Sequence, residues 1–489
     1  MDRRRFLLLS LAASSSLTIG RGMLAPALAA PAQPGESPYG PLGDPNADGL
    51  RLPEGFTSRV VKQWNQPIAG STELPMPFPD GAATFPTDDG GWILVSNSEN
   101  PPPVDQLAPL GITGLGGVQA IRFRADGSIA GASTILRDSR SNCAGGATPW
   151  GTWLSCEEVD DATDPTKSGR VFECDPTGAS PARELPAMGY FKHENATVDP
   201  VRQQVYLSED LGDGLLYRFT PTDYPDLSAG QLEAARVAED GSVTWLPIPD
   251  PTCSQGTPCR RQADGATTFD GGEGCVYDEG MVFLTTKGDD RVWVYDIEAA
   301  RMEVLYDAAD FDDPVLTGVD HIIVQPGTGN LLVAEDGGDM QVVMIRREDF
   351  AVFPVAQITG PQHGQQLPGP FGAVPIYSEV SGLAFSPDGT RLYCNSQRGF
   401  VGGVTYEIQG PWSGVASEPE ADRPGRGRPA QVPPPGPRGR PAVASEGESA
   451  APTLPATGGG DLGVLGVGAT AAAGGLLALR RRLEQRTTS

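Results

Sequence analysis

Ser141–Glu158, reading S-N-C-A-G-G-A-T-P-W-G-T-W-L-S-C-E-E, sets a Cys in a Gly-rich turn, follows it with a short apolar strand from Gly151 to Ser155, and ends on two adjacent carboxylates. Five other stretches keep that order of turn, apolar strand and polar or acidic end. They are G-W-I-L-V-S-N-S-E-N from Gly91, Q-V-Y-L-S-E-D from Gln204, M-V-F-L-T-T-K-G-D-D from Met281, N-L-L-V-A-E-D-G-G from Asn330 and R-L-Y-C-N-S-Q-R-G from Arg391. With Leu94, Leu154, Tyr206, Phe283, Leu332 and Leu392 as markers, the steps are 60, 52, 77, 49 and 60 residues. A quasi-period of this size in strand and turn alone predicts an all-β fold, a six-bladed β-propeller with short helical or loop insertions.

Each unit continues with a second apolar run, from Val118, Arg170, Leu215, Arg291, Gln341 and Val404, and several are closed by Asp-Gly-type turns. Before each marker strand stands a segment read as a loop: P-D-G-A-A-T-F, N-C-A-G-G, K-H-E-N-A-T-V, D-G-G-E-G-C-V, G-V-D-H-I-I-V and S-E-V-S-G-L-A-F-S-P-D-G. If the first two strands of a blade form a hairpin nearest the axis, the entering loop and the residues leaving the second strand share one channel end. That end collects Cys143, Glu157, Glu158, Glu194, Glu209, Asp210, Glu273, Asp320, Glu335, Asp336 and Glu379. So many carboxylates cannot ionise together in one funnel without cations, and the ring predicts bound metal.

Formal charge is −26, with +3 on residues 1–30, zero on 411–453 and +2 on 454–489, which leaves −31 on 31–410. Such a surface repels nucleic acid. Only three His are present, His193, His321 and His363, which excludes a His-rich zinc cluster. Oxygen ligands suit Ca²⁺ or Mg²⁺, and carboxylates with one thiolate accept iron or manganese. Of seven Cys, Cys253 and Cys259 close a small loop suited to a disulfide, Cys156, Cys174, Cys275 and Cys394 lie in or beside strands as small apolar residues, and Cys143 is read as a metal ligand.

Four segments divide the chain. Residues 1–29 open on Asp2-Arg3-Arg4-Arg5-Phe6-Leu7 and resemble a twin-arginine export signal, whose route carries folded proteins. Residues 30–410 hold the propeller, with 31–75 wrapping its outside and short helical insertions expected around Leu227–Val237 and Ala308–Asp312. Residues 411–453 form a Pro-rich spacer. Residues 454–489 run from Leu454-Pro455-Ala456-Thr457-Gly458 through an apolar tract to Arg480-Arg481-Arg482, the order of a sortase sorting signal. The twin-arginine translocase and a sortase are the partners so implied, and the domain is expected outside the membrane as a monomer, wall-linked or membrane-tethered.

N-C-A-G-G-A-T-P-W-G-T-W-L-S-C-E-E, K-H-E-N-A-T-V-D-P, L-S-E-D, G-G-E-G, G-N-L-L-V-A-E-D-G and E-V-S-G-L-A-F-S-P-D-G-T-R-L-Y together resemble the PhoX-type alkaline phosphatases, over about 140–400. The resemblance implies a channel holding Fe³⁺ and several Ca²⁺ and the hydrolysis of phosphate monoesters outside the cytoplasm. It implies Cys143 as an iron ligand, Glu194, Glu273 and Glu335 on iron or shared with calcium, and Glu157, Glu158, Glu209, Asp210, Asp336 and Glu379 completing the calcium ligands. Asp320-His321 departs from the Asp-Asn expected there. Lys192, Lys287 and Arg398 are the basic residues at channel positions and are read as phosphate contacts. Two other readings stay open: a calcium-dependent lactonase or esterase on the same architecture, and a non-catalytic surface propeller in which calcium is only a staple.

Overall fold

The computed structural model describes residues 31–100, 116–364 and 377–412, and the backbone of a hairpin formed by Gln366–Gly369 and Gly372–Pro375. The segments read as export signal and sorting signal, and the expected spacer from residue 413 on, lie outside the described residues, whereas Trp412, expected to belong to the spacer, is buried in the domain. Six sheets stand around one axis, as the repeat predicts. Blade 1 is Pro79–Pro86, Trp92–Ser98, Gly116–Phe123 and Ile129–Ser139; blade 2 is Asn142–Ala147, Trp153–Glu157, Val171–Cys174 and Arg183–Glu184. Blade 3 has five strands, His193–Asp199, Gln204–Glu209, Leu216–Asp223, Asp226–Val237 and Val243–Pro247, and blade 4 has Gly272–Asp278, Met281–Thr286, Arg291–Asp296 and Arg301–Asp307. Blade 5 is Val319–Val324, Leu331–Glu335, Gln341–Ile345 and Ala351–Ile358, and blade 6 is Val380–Phe385, Arg391–Ser396, Val404–Gln409 and Thr57–Gln63.

The segment 31–75 therefore does more than wrap. Thr57–Gln63 is the outer strand of blade 6, so the first and last parts of the propeller share one sheet. Upstream, Gln33–Pro34 and Leu50–Arg51 pair with the outer strand of blade 5. Trp412, where the last blade ends, packs against Tyr39, Phe56 and Phe385, and its carbonyl accepts from the Tyr39 hydroxyl at 2.9 Å.

All six marker residues fall in the second strand of their blades, which is buried on both faces between neighbouring blades. That is why these strands read as continuous apolar runs rather than alternating ones. Interblade clusters such as Phe283, Val294, Leu305, Val319, Leu331 and Val343 make up the core.

The segments read as entering loops are themselves the innermost strands. Several look like loops because the strands converging on the axis approach so closely at some positions that only Gly or Ala fits there. A Cβ on Gly146 would lie 1.7 Å from the Ala196 carbonyl oxygen, and one on Gly81 would lie 2.4 Å from the Ala144 Cα. One further expectation is corrected: Leu227–Val237 is strand, within Asp226–Val237. The short helical insertion expected around Ala308–Asp312 is present as a single 3₁₀ turn, Ala308–Asp310. No helix among the described residues is long and apolar enough to cross a membrane.

Candidate metal centre at one end of the channel

Each inner strand opens opposite the end of its blade's second strand: Pro79 opposite Ser98, Asn142 opposite Glu157, His193 opposite Glu209, Gly272 opposite Thr286, Val319 opposite Glu335 and Val380 opposite Ser396. Immediately after that pairing the inner strands of blades 1 to 5 slip register, and that of blade 6 slips one pair later, after Ser381 opposite Asn395. A β-bulge places extra residues against the partner strand and re-aims their side chains. In blades 1 to 5 the first residue of the slip is Asp80, Cys143, Glu194, Glu273 or Asp320, so one backbone device presents five potential ligands at one channel end. The residues just past the second strands, Glu99, Glu158, Asp210, Lys287, Asp336 and Gln397, belong to the same end.

The side chains form four trios whose ligand atoms lie within 4.8 Å of one another: Asp80, Glu99 and Cys143; Cys143, Glu158 and Glu194; Glu194, Glu273 and Asp320; Asp320, Asp336 and Glu379. Cys143, Glu194 and Asp320 each serve two trios, so the four form one connected chain. The Cys143 Sγ lies 3.2 Å from Asp80 Oδ2 and 3.1 Å from Glu194 Oε1. Glu194 Oε2 is buried without a hydrogen-bond partner. An unpartnered oxygen of that kind is costly unless something positive meets it.

Three cations are set into the ring. Lys192 reaches Glu158 at 2.8 Å and Asp210 at 2.5 Å, Lys287 reaches Glu273 at 2.7 Å and Asp336 at 3.1 Å, and Arg398 reaches Glu379 at 2.5 Å and Glu99 at 3.7 Å. Burial, followed by repulsion among neighbouring acids, pushes the carboxyls of Glu99, Glu194, Glu273, Asp320 and Glu379 well above the ordinary range, and Asp80 up to about 6. Burial and the adjoining Asp80 and Glu194 carboxylates likewise raise the Cys143 thiol. Against burial, Lys287 and Lys192 hold Asp210 low. Three cations do not balance this ring, and the residues fit a set of metal ions: clustered carboxylates for hard cations and one thiol for a softer one.

Of the residues expected at the channel end, Cys143, Glu158, Glu194, Glu273, Asp320, Asp336 and Glu379 are brought into the trios, and Asp210 stands beside them on Lys192. Glu157, Glu209 and Glu335 point elsewhere. As last residues of their strands they turn to the opposite face and tie loops together. Glu157 accepts from the Arg140 and Arg170 amides, Glu335 from the Thr317 and Gln341 amides, and Glu209 from the Leu215 amide and the Tyr217 hydroxyl. Asp80 and Glu99 belong to the ring but were absent from the expectation. The signal was present, since P-D-G opens the first unit where N-C-A opens the second, and Glu99 follows its strand as Glu158 follows the next.

The remaining Cys and His are structural. Cys156, Cys174, Cys275 and Cys394 are buried, and Cys253 Sγ lies 3.6 Å from Cys259 Sγ with both thiols free. His193 stacks on Phe191, and His321 Nδ1 accepts from the Leu383 amide, with burial pushing its pKa down to about 4. Below the ring the axis opens into a cavity of about 330 Å³ lined by inner-strand residues, Asn195 and His321 among them.

Residues 106–310, less than half of the chain, match the family Alkaline phosphatase PhoX. No curated protein sequence matches. Among solved structures the chain is similar to Pseudomonas fluorescens PhoX in complex with vanadate, a transition state analogue, at 17% identity and a TM-score of 0.59, over 79% of this chain and 98% of that one. It is also similar to a gluconolactonase of Xanthomonas campestris at 12% identity and a TM-score of 0.38, over 76% and 98%. A Bacteroides thetaiotaomicron protein of unknown function matches at 8% identity and a TM-score of 0.42, over 75% and 84%. At 17% identity the first of these likenesses is one of fold, the propeller. Over residues 106–310 the sequence is thus similar to the PhoX alkaline phosphatases, and the propeller that carries those residues is similar in fold to the Pseudomonas fluorescens protein.

Proposed function

We propose that the ring holds Ca²⁺ and Fe³⁺ and that the chain hydrolyses phosphate monoesters outside the cytoplasm, held at the cell surface by its C-terminal sorting segment. The observation that carries this reading is the connected chain of four trios with a thiol at one junction. A ring of carboxylates alone repels a phosphate ester, whereas bound cations reverse the local field. Such ions, when bound, supply Lewis acidity toward phosphoryl oxygens and lower the pKa of water.

The chain's own residues divide the work. Cys143, with Asp80 and Glu194 beside it, suits iron, and the carboxylates of the other trios suit calcium. Asp210 is assigned to the same set. Lys192, Lys287 and Arg398 pair with ring acids; with those acids engaged by bound ions, the three cations would be available to phosphoryl oxygens, where they would offset charge that spreads in the transition state. The buried thiol speaks against a calcium-only lactonase, which has no use for it.

Export through the twin-arginine route and retention by a sortase rest on the terminal sequence motifs, and fit loading of metal into a folded protein before export. The test is hydrolysis of p-nitrophenyl phosphate at alkaline pH by protein exported in folded form. Activity should disappear on exhaustive chelation and return when calcium and iron are added together. An ester left intact by fully metal-loaded protein would falsify the reading.

A further inference from the structure

One position in each second strand, just before its last residue, faces the next blade: Asn97, Cys156, Ser208, Thr285, Ala334 and Asn395 in order. Four of the six carry a side chain that donates a hydrogen bond, and all four are buried. Asn97 Nδ2 donates to the carbonyls of Cys143 at 3.1 Å and Ala144 at 2.7 Å. Ser208 Oγ donates to the carbonyl of Glu273 at 2.5 Å, Thr285 Oγ1 to that of Asp320 at 2.5 Å, and Asn395 Nδ2 to that of Asp80 at 3.1 Å. In every case the backbone of a ring residue in the following blade accepts, joined for Asn97 by that of the adjoining Ala144.

The bonds also reach back to the donor's own blade. Ser208 Oγ accepts from the Asn195 amide at 3.1 Å, Thr285 Oγ1 lies 3.2 Å from the Gly274 carbonyl, and Asn395 Nδ2 lies 3.5 Å from Ser381 Oγ. The two amides are held in orientation: Asn97 Oδ1 accepts from Trp153 Nε1 at 2.8 Å and Ser155 Oγ at 3.0 Å, and Asn395 Oδ1 accepts from Thr405 Oγ1 at 2.6 Å. A bulge takes backbone groups out of the ladder, and a buried carbonyl must then find a partner elsewhere. Here the partner comes from the neighbouring blade, so the backbone of each gripped ligand is registered against two sheets.

We infer that Asn97, Ser208, Thr285 and Asn395 are positioning residues that set the spacing of the metal-binding ring from blade to blade. The chain of bonds is interrupted where the position holds Cys156 or Ala334, and Cys156 is the residue that faces the blade of Glu194. Glu194, whose Oε2 also lacks a partner, is therefore the ligand at a register slip that has no such bond from the preceding blade. The inference rests on the ring being a metal site.

Its test compares Thr285→Val, which keeps shape and loses the hydroxyl, with Thr285→Ser, which keeps the hydroxyl, and adds Ser208→Ala as an independent site. Metal content is measured after equilibration against graded chelator, and thermal unfolding is measured on the metal-depleted proteins. Groups that orient metal ligands typically contribute about 10- to 100-fold in metal affinity. Thr285→Val and Ser208→Ala should release metal at about tenfold lower chelator, with Thr285→Ser close to wild type and the metal-depleted melting temperatures close together. If the Val and Ala variants keep wild-type metal retention while melting earlier, or both fail to accumulate as folded protein, the hydroxyls merely satisfy buried carbonyls and the inference is overturned. A wild-type protein that holds no metal sinks the reading of the ring itself, and this inference with it.

Discussion

Glu335 and Glu194 are both buried glutamates at the same end of the channel, and their surroundings divide their roles. Glu335 spends both oxygens on the Thr317 and Gln341 amides, whereas Glu194 offers one oxygen to Cys143 and leaves the other unpartnered. Glu335→Ala leaves two buried donors without an acceptor, at a cost of about 1–3 kcal/mol each, and should lower stability in denaturant titration with metal content unchanged. Glu194→Gln should do the reverse, retaining the fold and losing at least about tenfold in metal affinity by the same chelator titration. Sequence alone could not separate the two, because adjacent strand residues point to opposite faces and the register slip that decides the face is invisible in a run such as L-S-E-D. Lys62 gives a second test at this scale. It is buried against the neutral groups Ser96 Oγ at 3.3 Å and Gln119 Oε1 at 3.5 Å, and burial pulls its pKa down to about 7. A depressed amine gives up its proton on folding, so its contribution is fully present above the unfolded value of 10.5 and is lost as pH falls through about 7. Lys62→Met removes this linkage. The stability of wild type relative to the variant should therefore rise between pH 7 and 10, by at most about 1.4 kcal/mol per pH unit; a gap that stays constant with pH contradicts a neutral buried amine.

The bulged inner strand is the element on which the site depends. Its sequence has to be small where six strands meet and acidic where the register slips, and those two demands produce segments such as N-C-A-G-G and P-D-G-A-A that carry no strand signature. The second strands were legible because both faces are buried; the inner ones were legible only as recurring punctuation before them. Blade 3 shows the opposite failure, since Asp226–Val237 has polar and small residues at intervals that read as a short helix, but its pairing to Leu216–Asp223 and Val243–Pro247 makes it strand. Close approach at the axis makes a prediction of its own. Gly146→Ala drives a methyl to 1.7 Å from the Ala196 carbonyl oxygen beside Glu194, where backbone must move. The cost should be at least about 3 kcal/mol, with metal retention falling alongside the melting temperature. Gly280→Ala, at a turn where a Cβ meets nothing within 4 Å, is the comparison. Its residue has a φ of +91°, so a modest loss of stability with metal retention unchanged is expected there.

At the scale of the whole molecule the acidic balance and the closure of the ring work together. A charge of −31 over residues 31–410 opposes compaction, and the part of it gathered at the channel is the part that cations can offset. Six blades were legible from the spacing of six marker strands, but the closure was not, because Thr57–Gln63 lies ahead of the first repeat and pairs with the last. Ions that bind the folded ring and not the unfolded chain stabilise by mass action, about 2.7 kcal/mol at a hundredfold excess over Kd. Chelation should therefore lower the melting temperature by several degrees, an effect reversed by adding metal back, whereas an unchanged melting temperature means that the ring holds nothing under those conditions. The most direct measurement is anomalous X-ray scattering from crystals of the metal-loaded protein, with data on both sides of the iron edge and at a long wavelength sensitive to calcium. The account predicts iron beside Cys143 Sγ between Asp80 and Glu194, and calcium among the carboxylates of Glu273, Asp320, Asp336 and Glu379. A ring without anomalous density in crystals of protein that still hydrolyses phosphate esters would contradict it.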